Sequence, residues 1–429
     1  MLISRRSVLK AGVAAALSSP LVSIGQTRES KLILCAPLTH SDWMLKPGIE
    51  WGASGVKHML DACKAAGWSR VRWRVFDAGQ ATYASKLARP GLHADSDTIF
   101  SPQTDEGRAA VKKLLPNLTP QQAAETLAKQ NKLDYGTFDS LACAIDYGHS
   151  IGLQIHAWAT LNEDDHGWGW PSEFSKAHPE FHWRRRDGSP YHSQLSFAFE
   201  EVRRYKLGLI DELLACPIDG IFLDWIRTGD IRDNPQTDAA GVANSGYETP
   251  NLEAFKSTFG VDAHEVPNSD DRWVRVRAEP QTLFMRAMHE RVKADPRKLP
   301  LAVMVGHPWH YRGTGDKIDG NLRGLLLDVA TWAKEGLIDS AVAAGYYRDG
   351  GNAEMAYKAL REETGGKVDV WTYAWVPQTP ADFENDFALA QRVGAKQILF
   401  WEADYIDDRA NAAELKRVMS ARSRGNDER

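Results

Sequence analysis

Short apolar runs alternate with amphipathic helical patterns from residue 31 to the end of the chain. The apolar runs have the length of buried strands and are bounded by turn residues. They cover Leu32–Pro37, Val71–Phe76, Leu153–Thr160, Gly220–Trp225, Leu301–Gly306, Ser340–Tyr346, Val368–Trp375 and Gln397–Trp401. Helical patterns follow them at 56–66, 139–150, 201–215, 281–294, 328–336, 353–363, 381–393 and 411–421. Eight strand–helix units in this order predict an α/β fold, the (β/α)8 TIM barrel.

The connections from helix to strand are short, whereas three connections from strand to helix are long. The long insertions follow strands 2, 3 and 4 and span about 77–138, 162–199 and 228–272. Active sites of such barrels lie on the loops that follow the strands, so these insertions mark the functional face. An open doubly wound sheet is the alternative, but the first strand lacks the Gly-rich phosphate turn typical of that class.

Residues 1–25 predict an export signal. Arg5 and Arg6 precede an Ala-rich segment, and Ser23 to Gly25 are small residues suited to cleavage. This pattern resembles a twin-arginine (Tat) signal, with the basic region of a general secretory signal as the alternative. We therefore expect a periplasmic or secreted protein that meets the Tat translocase during export. Its single barrel domain would span 26–421, followed by a frayed tail at 422–429.

Composition excludes several classes of protein. The 429 residues carry a net charge of −5 and show no Lys/Arg stripe, which argues against nucleic-acid binding. Beyond the signal, the sequence predicts no membrane insertion, because no apolar stretch is long enough to span a bilayer. The four cysteines are far apart, so free thiols are expected, with one disulfide as the alternative in an exported protein.

Aromatic residues concentrate at one predicted end of the barrel. Fifteen tryptophans are present, and ten of them fall at strand C-terminal ends or in the loops beyond. These ten are Trp43, Trp51, Trp158, Trp168, Trp170, Trp183, Trp225, Trp309, Trp375 and Trp401. Clustered aromatic side chains that face solvent usually bind something, and flat rings suit the apolar faces of sugars. Loop packing is the alternative explanation for part of this set.

Two strands end in a carboxylate. In "DGIFLDWIR" (219–227), Asp224 closes an apolar strand and shares a face with Phe222. In "QILFWEADY", Glu402 is placed last on the face of Ile398 and Phe400. Two carboxylates at one barrel mouth are what glycoside hydrolysis requires, one as acid and the other as nucleophile or base. Sequence spacing leaves retaining and inverting chemistry both open.

Polar and aromatic residues on neighbouring strands and loops complete the predicted site. Strand 3 places His156 and Trp158 on one face, and Glu163 and Asp164 beyond it are rival candidates for the general acid. Strand 2 turns Arg72 and Arg74 inward, where Arg74 could lower the pKa of a nearby carboxylate or contact an anionic sugar. An ion pair at the bottom of the barrel is the alternative. The predicted substrate-binding residues are His156, Trp158, Trp225, Arg227, Asn162, His307, Tyr346, Trp375, Trp401, Asp42 and Arg74.

The strand-4 motif resembles two groups of sugar-cleaving barrels. Asp219 and Asp224 match part of the strand-4 signature of family 18 chitinases, but Ile226 stands where those enzymes carry their catalytic Glu. A closer likeness is to glycosyl hydrolase-like family 10, a group of exported bacterial barrels. It rests on His156-Ala157-Trp158, His178-Pro179-Glu180, Gly188, Tyr191, Glu201-Val202-Arg203, Asp219 to Arg227, and the flanking segments 82–85 and 400–405. The likeness implies a carbohydrate-active barrel with Asp224 as the catalytic position.

The sequence therefore predicts an exported glycoside hydrolase, acting on a polysaccharide or oligosaccharide without a cofactor. A non-catalytic carbohydrate-binding barrel is the first alternative. A metal-dependent sugar isomerase or hydrolase is the second, since His178 and His182, and His307 and His310, have conceivable metal-ligand spacing. No metal site is expected, because strand 1 carries "THSDW" and lacks the HxH of amidohydrolase barrels.

Replacing both Arg5 and Arg6 with lysine tests the export prediction. The double variant should remain in the cytoplasm, because the twin-arginine pair is the feature that the translocase reads. Cell fractionation with immunoblotting measures this. Normal export of the variant would exclude the Tat route and leave the general secretory route.

Overall fold

The computed structural model describes residues 32–39, 43, 46, 48–77, 79–88, 105–114, 116–130, 137–164, 172–226, 236–306, 318–345 and 350–424. From residue 32 onward these belong to one compact unit. Among the described helices, none has the length and apolar character that crossing a bilayer requires. The four cysteines are free thiols, as the wide spacing predicted.

Within the described residues, eight parallel strands close into a barrel, which confirms the predicted fold. Strand 1 pairs with strand 2 on one side and with strand 8 on the other, and this pairing closes the sheet. The barrel strands are, in order, Ile33–Leu38, Arg70–Asp77, Gln154–Thr160, Gly220–Asp224, Leu301–Gly306, Ser340–Ala344, Asp369–Trp375 and Gln397–Trp401.

Helices follow the strands and surround the barrel. They are Ala53–Ala65, Ser140–Ser150, Glu200–Leu214, Asp271–Ala294, Val329–Glu335, Gly350–Glu363, Pro380–Val393 and Ala412–Arg424. The fourth begins earlier than predicted, because Asp270 caps it and Pro280 is accommodated inside the helix. The last helix runs into the segment that was predicted to fray, because Ser423 is buried at its end.

The long insertions carry secondary structure of their own. Helices Asp105–Leu114 and Pro120–Gln130 lie in the first insertion, and helix Thr249–Phe259 lies in the third. The second contains a hairpin of His182–Arg184 and Pro190–Leu195. All three follow the C-terminal ends of barrel strands, as the sequence predicts.

The barrel has two apolar layers. Ile221 and Leu223 pack outward against the helices, whereas Phe222 packs inside the barrel with Trp158 and Trp371. Asp224 therefore continues the inner face, as predicted. Strand 8 has the opposite alternation, with Leu399 and Trp401 inside and Ile398 and Phe400 outside. The predicted face of strand 8 was wrong, because a parallel strand is apolar on both sides and its sequence does not say which side faces in.

Arg72 lies deep in the barrel, as the inward reading of strand 2 predicts. Its guanidinium carbon is 5.3 Å from the ring centroid of Phe222 and 4.7 Å from that of Trp371. Burial lowers the pKa of Arg72 to about 10. The charge is stabilised by aromatic faces, which attract cations through the ring quadrupole.

Gly220 begins strand 4 beside His156. A Cβ added to Gly220 would lie 2.2 Å from His156 Nδ1 and 2.9 Å from Pro300 Cγ. The backbone φ of Gly220 is not positive, so a larger side chain would be excluded by steric clash and not by backbone strain.

Gly220→Ala should lower the free energy of unfolding by about 1–3 kcal/mol, the usual cost of overpacking a core. Urea denaturation measures the change. The double variant Gly220→Ala/His156→Ala should lose less than the sum of the two single variants, since removing the imidazole relieves the contact. Strictly additive losses would contradict this packing.

Candidate active site at the mouth of the barrel

Asp224 is fully buried at the C-terminal end of strand 4. Its Oδ2 accepts a hydrogen bond from Trp158 Nε1 at 3.3 Å, and its Oδ1 accepts one from the backbone N–H of Ile226 at 3.1 Å. Thr160, at the end of strand 3, lies opposite Asp224 in the parallel register. The carboxylate is thus presented by the rigid barrel wall, with N–H groups directed at both of its oxygens.

Trp158 connects the two candidate carboxylates. Besides its bond to Asp224, its ring meets Trp401 edge-on, with centroids 5.3 Å apart. The Arg74 guanidinium lies over the Trp158 ring at 5.1 Å from the centroid. Trp158 is 2% exposed, so its faces are occupied by protein. It supports the site as a packed hydrogen-bond donor, which differs from the open sugar platform that the sequence suggested.

Glu402 reaches the mouth by a different route from the predicted one. Because Trp401 faces inward, simple alternation would turn Glu402 outward to the helices. Glu402 instead adopts φ 60° and ψ 48°, the left-handed region, which ends the strand. Its side chain lines a small recess together with Trp158 and Trp401. A non-glycine residue in this conformation costs about 1–2 kcal/mol, and such strain is typical of functional sites.

The recess beside Glu402 has a volume of about 20 Å³, enough for one water molecule. Asp404, which also lines it, is 7% exposed and lies 3.7 Å from Lys46 Nζ. The sequence interpretation did not select Asp404, although it follows Glu402 by two residues in "FWEADY". An acid so close to a predicted catalytic carboxylate is the signal that could have identified it.

Arg74 forms a buried ion pair with Glu163. The side chains are 4% and 0% exposed. The backbone of Glu163 also pairs with that of Gln194 in the inserted hairpin, as an isolated antiparallel β-bridge. Arg74 therefore points inward, as predicted, and ties strand 2 to the loop after strand 3. The pairing of Glu163 with a buried guanidinium argues against its alternative role as the general acid.

Asp164 is paired in the same way with Lys206. Its Oδ1 lies 3.5 Å from Lys206 Nζ, and its Oδ2 accepts a hydrogen bond from Ser172 Oγ at 2.6 Å. Burial lowers the pKa of Lys206, an effect that Asp164 opposes. This pairing supports a structural role for Asp164. Lys206 was missed from the sequence, although it occupies an apolar-face position between Val202 and Ile210 of its helix.

Trp225 and Asn162 brace the strand end that carries Asp224. Trp225 is fully buried in the outer layer, against Phe197, Phe284 and Trp332. This packing argues against its predicted contact with a substrate, because strand alternation turns it away from the face of Asp224. Asn162 is 2% exposed, and its Nδ2 donates to the Trp225 carbonyl at 2.8 Å. Asn162 therefore stabilises the backbone at the end of strand 4.

His156 lies far below the mouth. The register pairs it with Gly220, four residues before Asp224, which corresponds to about 13 Å along a strand. Burial, reinforced by Arg72, holds the pKa of His156 well below its usual value. His156 is thus a neutral residue of the lower barrel interior, and the substrate contact predicted for it does not fit this position.

The remaining predicted residues divide into two groups. Trp375 ends strand 7 beside Trp401, whose ring also stacks on Tyr373 at 6.0 Å. Asp42, Arg227, His307 and Tyr346 lie outside the described residues, as do Trp168, Trp170 and Trp309. Five of the predicted solvent-facing tryptophans are buried instead: Trp43, Trp158, Trp183, Trp225 and Trp401.

Histidines in the second insertion have local partners. His178 contacts Glu180 at 3.1 Å, and His182 contacts Ser175. Across the described ranges, His, Cys, Asp and Glu side chains form no group of three or more that could hold a metal ion.

Solved structures of several sugar-cleaving enzymes share the fold of this barrel. The catalytic domain of β-amylase from Paenibacillus polymyxa aligns with a TM-score of 0.55 and 10% identity, covering 92% of this chain and 99% of that one. The PgaB (BpsB) glycoside hydrolase domain from Bordetella bronchiseptica aligns with a TM-score of 0.53 and 13% identity, covering 91% and 98%. These similarities establish the TIM-barrel fold.

β-Galactosidase from the psychrophilic Marinomonas ef1 shares the fold at a TM-score of 0.51 and 11% identity. The match covers 91% of this chain but 59% of the length of that enzyme. The chain matches no protein-family model and no curated protein. The similarity is therefore one of fold, and the chemistry has to be argued from the residues of this chain.

Arg74→Met should lower the free energy of unfolding by about 3–5 kcal/mol, because it removes the cation that is paired with the buried Glu163 carboxylate. Chemical denaturation measures the loss, and adding Glu163→Gln should recover part of it. The matched control is Arg422→Gln, which breaks an exposed pair with Glu384 and should cost about 0–1 kcal/mol. Equal losses for Arg74→Met and Arg422→Gln would contradict a buried pair at the mouth.

Proposed function

We propose that this protein is an exported glycoside hydrolase that cleaves a polysaccharide or oligosaccharide with Asp224 and Glu402. The observation that carries the proposal is the convergence of both residues on Trp158. Asp224 accepts its indole N–H, and Glu402 shares a recess with it. Carboxylates that flank one site are the minimal machinery of glycoside hydrolysis.

Asp224 is assigned the role of nucleophile in a retaining reaction, or of general base in an inverting one. Either role requires an ionised carboxylate. The two N–H groups that donate to Asp224 favour that form, since hydrogen bonds to a carboxylate stabilise its charge. Its place at the end of a barrel strand is where enzymes of this fold carry their chemistry.

Glu402 is assigned the role of general acid. It is partly exposed beside Trp401, so it can reach a ligand at the mouth. The negative charge of an ionised Asp224 would favour the protonated form of Glu402, as a general acid requires. The left-handed backbone at Glu402 supports this assignment, because energetically costly backbone conformations of this kind are typical of functional sites.

The sequence motifs add to this proposal. The resemblance of Asp219 to Arg227 to strand 4 of glycosyl hydrolase-like family 10 supports a carbohydrate-active barrel with Asp224 as its catalytic position. The twin-arginine-type leader supports action outside the cytoplasm, on periplasmic or extracellular glycans. The β-amylase and PgaB domains that share the fold are consistent with a sugar substrate.

Asp224→Asn should reduce turnover by about three orders of magnitude or more, because it is nearly isosteric and removes the charge. The free energy of unfolding should stay within about 1–2 kcal/mol of the wild type. The assay measures release of reducing ends from a panel of polysaccharides, alongside the melting temperature.

The matched control is Asp219→Asn, immediately before the same strand at the opposite end of the barrel, where Asp219 contacts His149. It should keep wild-type turnover. An Asp224→Asn variant that retains most activity would refute the assignment. A glycan that binds the wild type without being cleaved would instead support the non-catalytic carbohydrate-binding alternative.

A further inference from the structure

A second cavity lies at the end of the barrel opposite Asp224. Its volume is about 820 Å³, within the range typical of ligand pockets. Ile33, Arg70 and Gln154, the first residues of strands 1, 2 and 3, line one side. The other side is formed by the last turn of the final helix, with Ser420, Ser423 and Arg424.

The charged residues of this cavity are all basic. Lys64, Arg70 and Arg424 line it, and the described lining residues include no carboxylate. These three cations form no ion pair within the described part of the chain, whereas many other surface arginines do. Arg286, for example, is paired with Glu279 and Glu335. The cavity therefore concentrates positive charge that this protein elsewhere neutralises.

Arg70 is held in place by hydrogen bonds to neutral acceptors. Its Nε donates to Gln154 Oε1 at 2.9 Å, and its Nη1 donates to Gln397 Oε1 at 2.7 Å. Neutral amide oxygens orient the guanidinium but do not compensate it. A fixed, uncompensated guanidinium is suited to bind phosphate or carboxylate groups, since charge-assisted bonds to these groups are strong.

The wall of the cavity is tightly packed. A Cβ added to Gly67 would lie 2.6 Å from the Cα of Ser420 and 2.5 Å from the Oγ of Ser423. This close approach fixes the final helix against the turn that leads into strand 2. Serine hydroxyls at 69, 420 and 423 supply further hydrogen-bonding groups, and Leu32 and Trp68 supply apolar surface.

We propose that this cavity is a binding site for a small ligand with two or more phosphate or carboxylate groups. Three cations around one space favour a multivalent anion over a single charge. The site lies at the other end of the barrel from Asp224, so binding there is independent of the proposed hydrolysis.

Isothermal titration calorimetry of the full-length protein with pyrophosphate and with citrate tests the proposal, and the two probes distinguish phosphate from carboxylate recognition. At least one should bind, with affinity that falls as salt is added. Arg70→Gln should weaken binding by about tenfold or more, the effect of losing one hydrogen bond to a charged group.

Arg422→Gln is the matched control, because Arg422 lies on the same final helix and is paired with Glu384. It should bind like the wild type, as should Asp224→Asn. If Arg70→Gln unfolds, the double variant Lys64→Gln/Arg424→Gln, which changes two exposed side chains of the same cavity, replaces it and should also weaken binding. Absence of binding at millimolar probe, or wild-type affinity in the cavity variants, would overturn the proposal.

Discussion

The mouth of the barrel depends on the packing of one indole, that of Trp158. Its N–H donates to Asp224, its edge meets Trp401, and Arg74 lies over its ring. Because Trp158 is 2% exposed, each of these neighbours is held at a fixed position. The indole thereby links strands 2, 3, 4 and 8. Of the two proposed catalytic carboxylates, Asp224 ends strand 4 and Glu402 directly follows strand 8.

The buried carboxylates around Trp158 differ in their partners. Glu163 and Asp164 are neutralised by Arg74 and Lys206, and all four side chains are sealed from solvent. Asp224 is stabilised by N–H donors, and Glu402 remains partly exposed. Glu163 and Asp164 are each paired with a buried cation and stabilise the scaffold, which is why the proposed function assigns the reaction to Asp224 and Glu402.

Much of this arrangement could be predicted from the sequence, because strand-length apolar runs and β/α alternation are local patterns. The inward direction of Asp224 followed from its alternation with Phe222. The face of strand 8 did not, since Ile398 to Trp401 are apolar on both sides, and the left-handed backbone of Glu402 has no signal in the sequence. The depth of His156 depends on the register with Gly220, which residue types alone do not reveal.

The pH dependence of kcat/KM tests the central claim most directly, namely that Asp224 and Glu402 act as a complementary base-and-acid pair. The wild type should give a bell-shaped profile, rising as Asp224 ionises and falling as Glu402 loses its proton. In Glu402→Gln the residual rate should lose its alkaline limb and keep its acidic limb. A Glu402→Gln profile that retains both limbs would contradict the account.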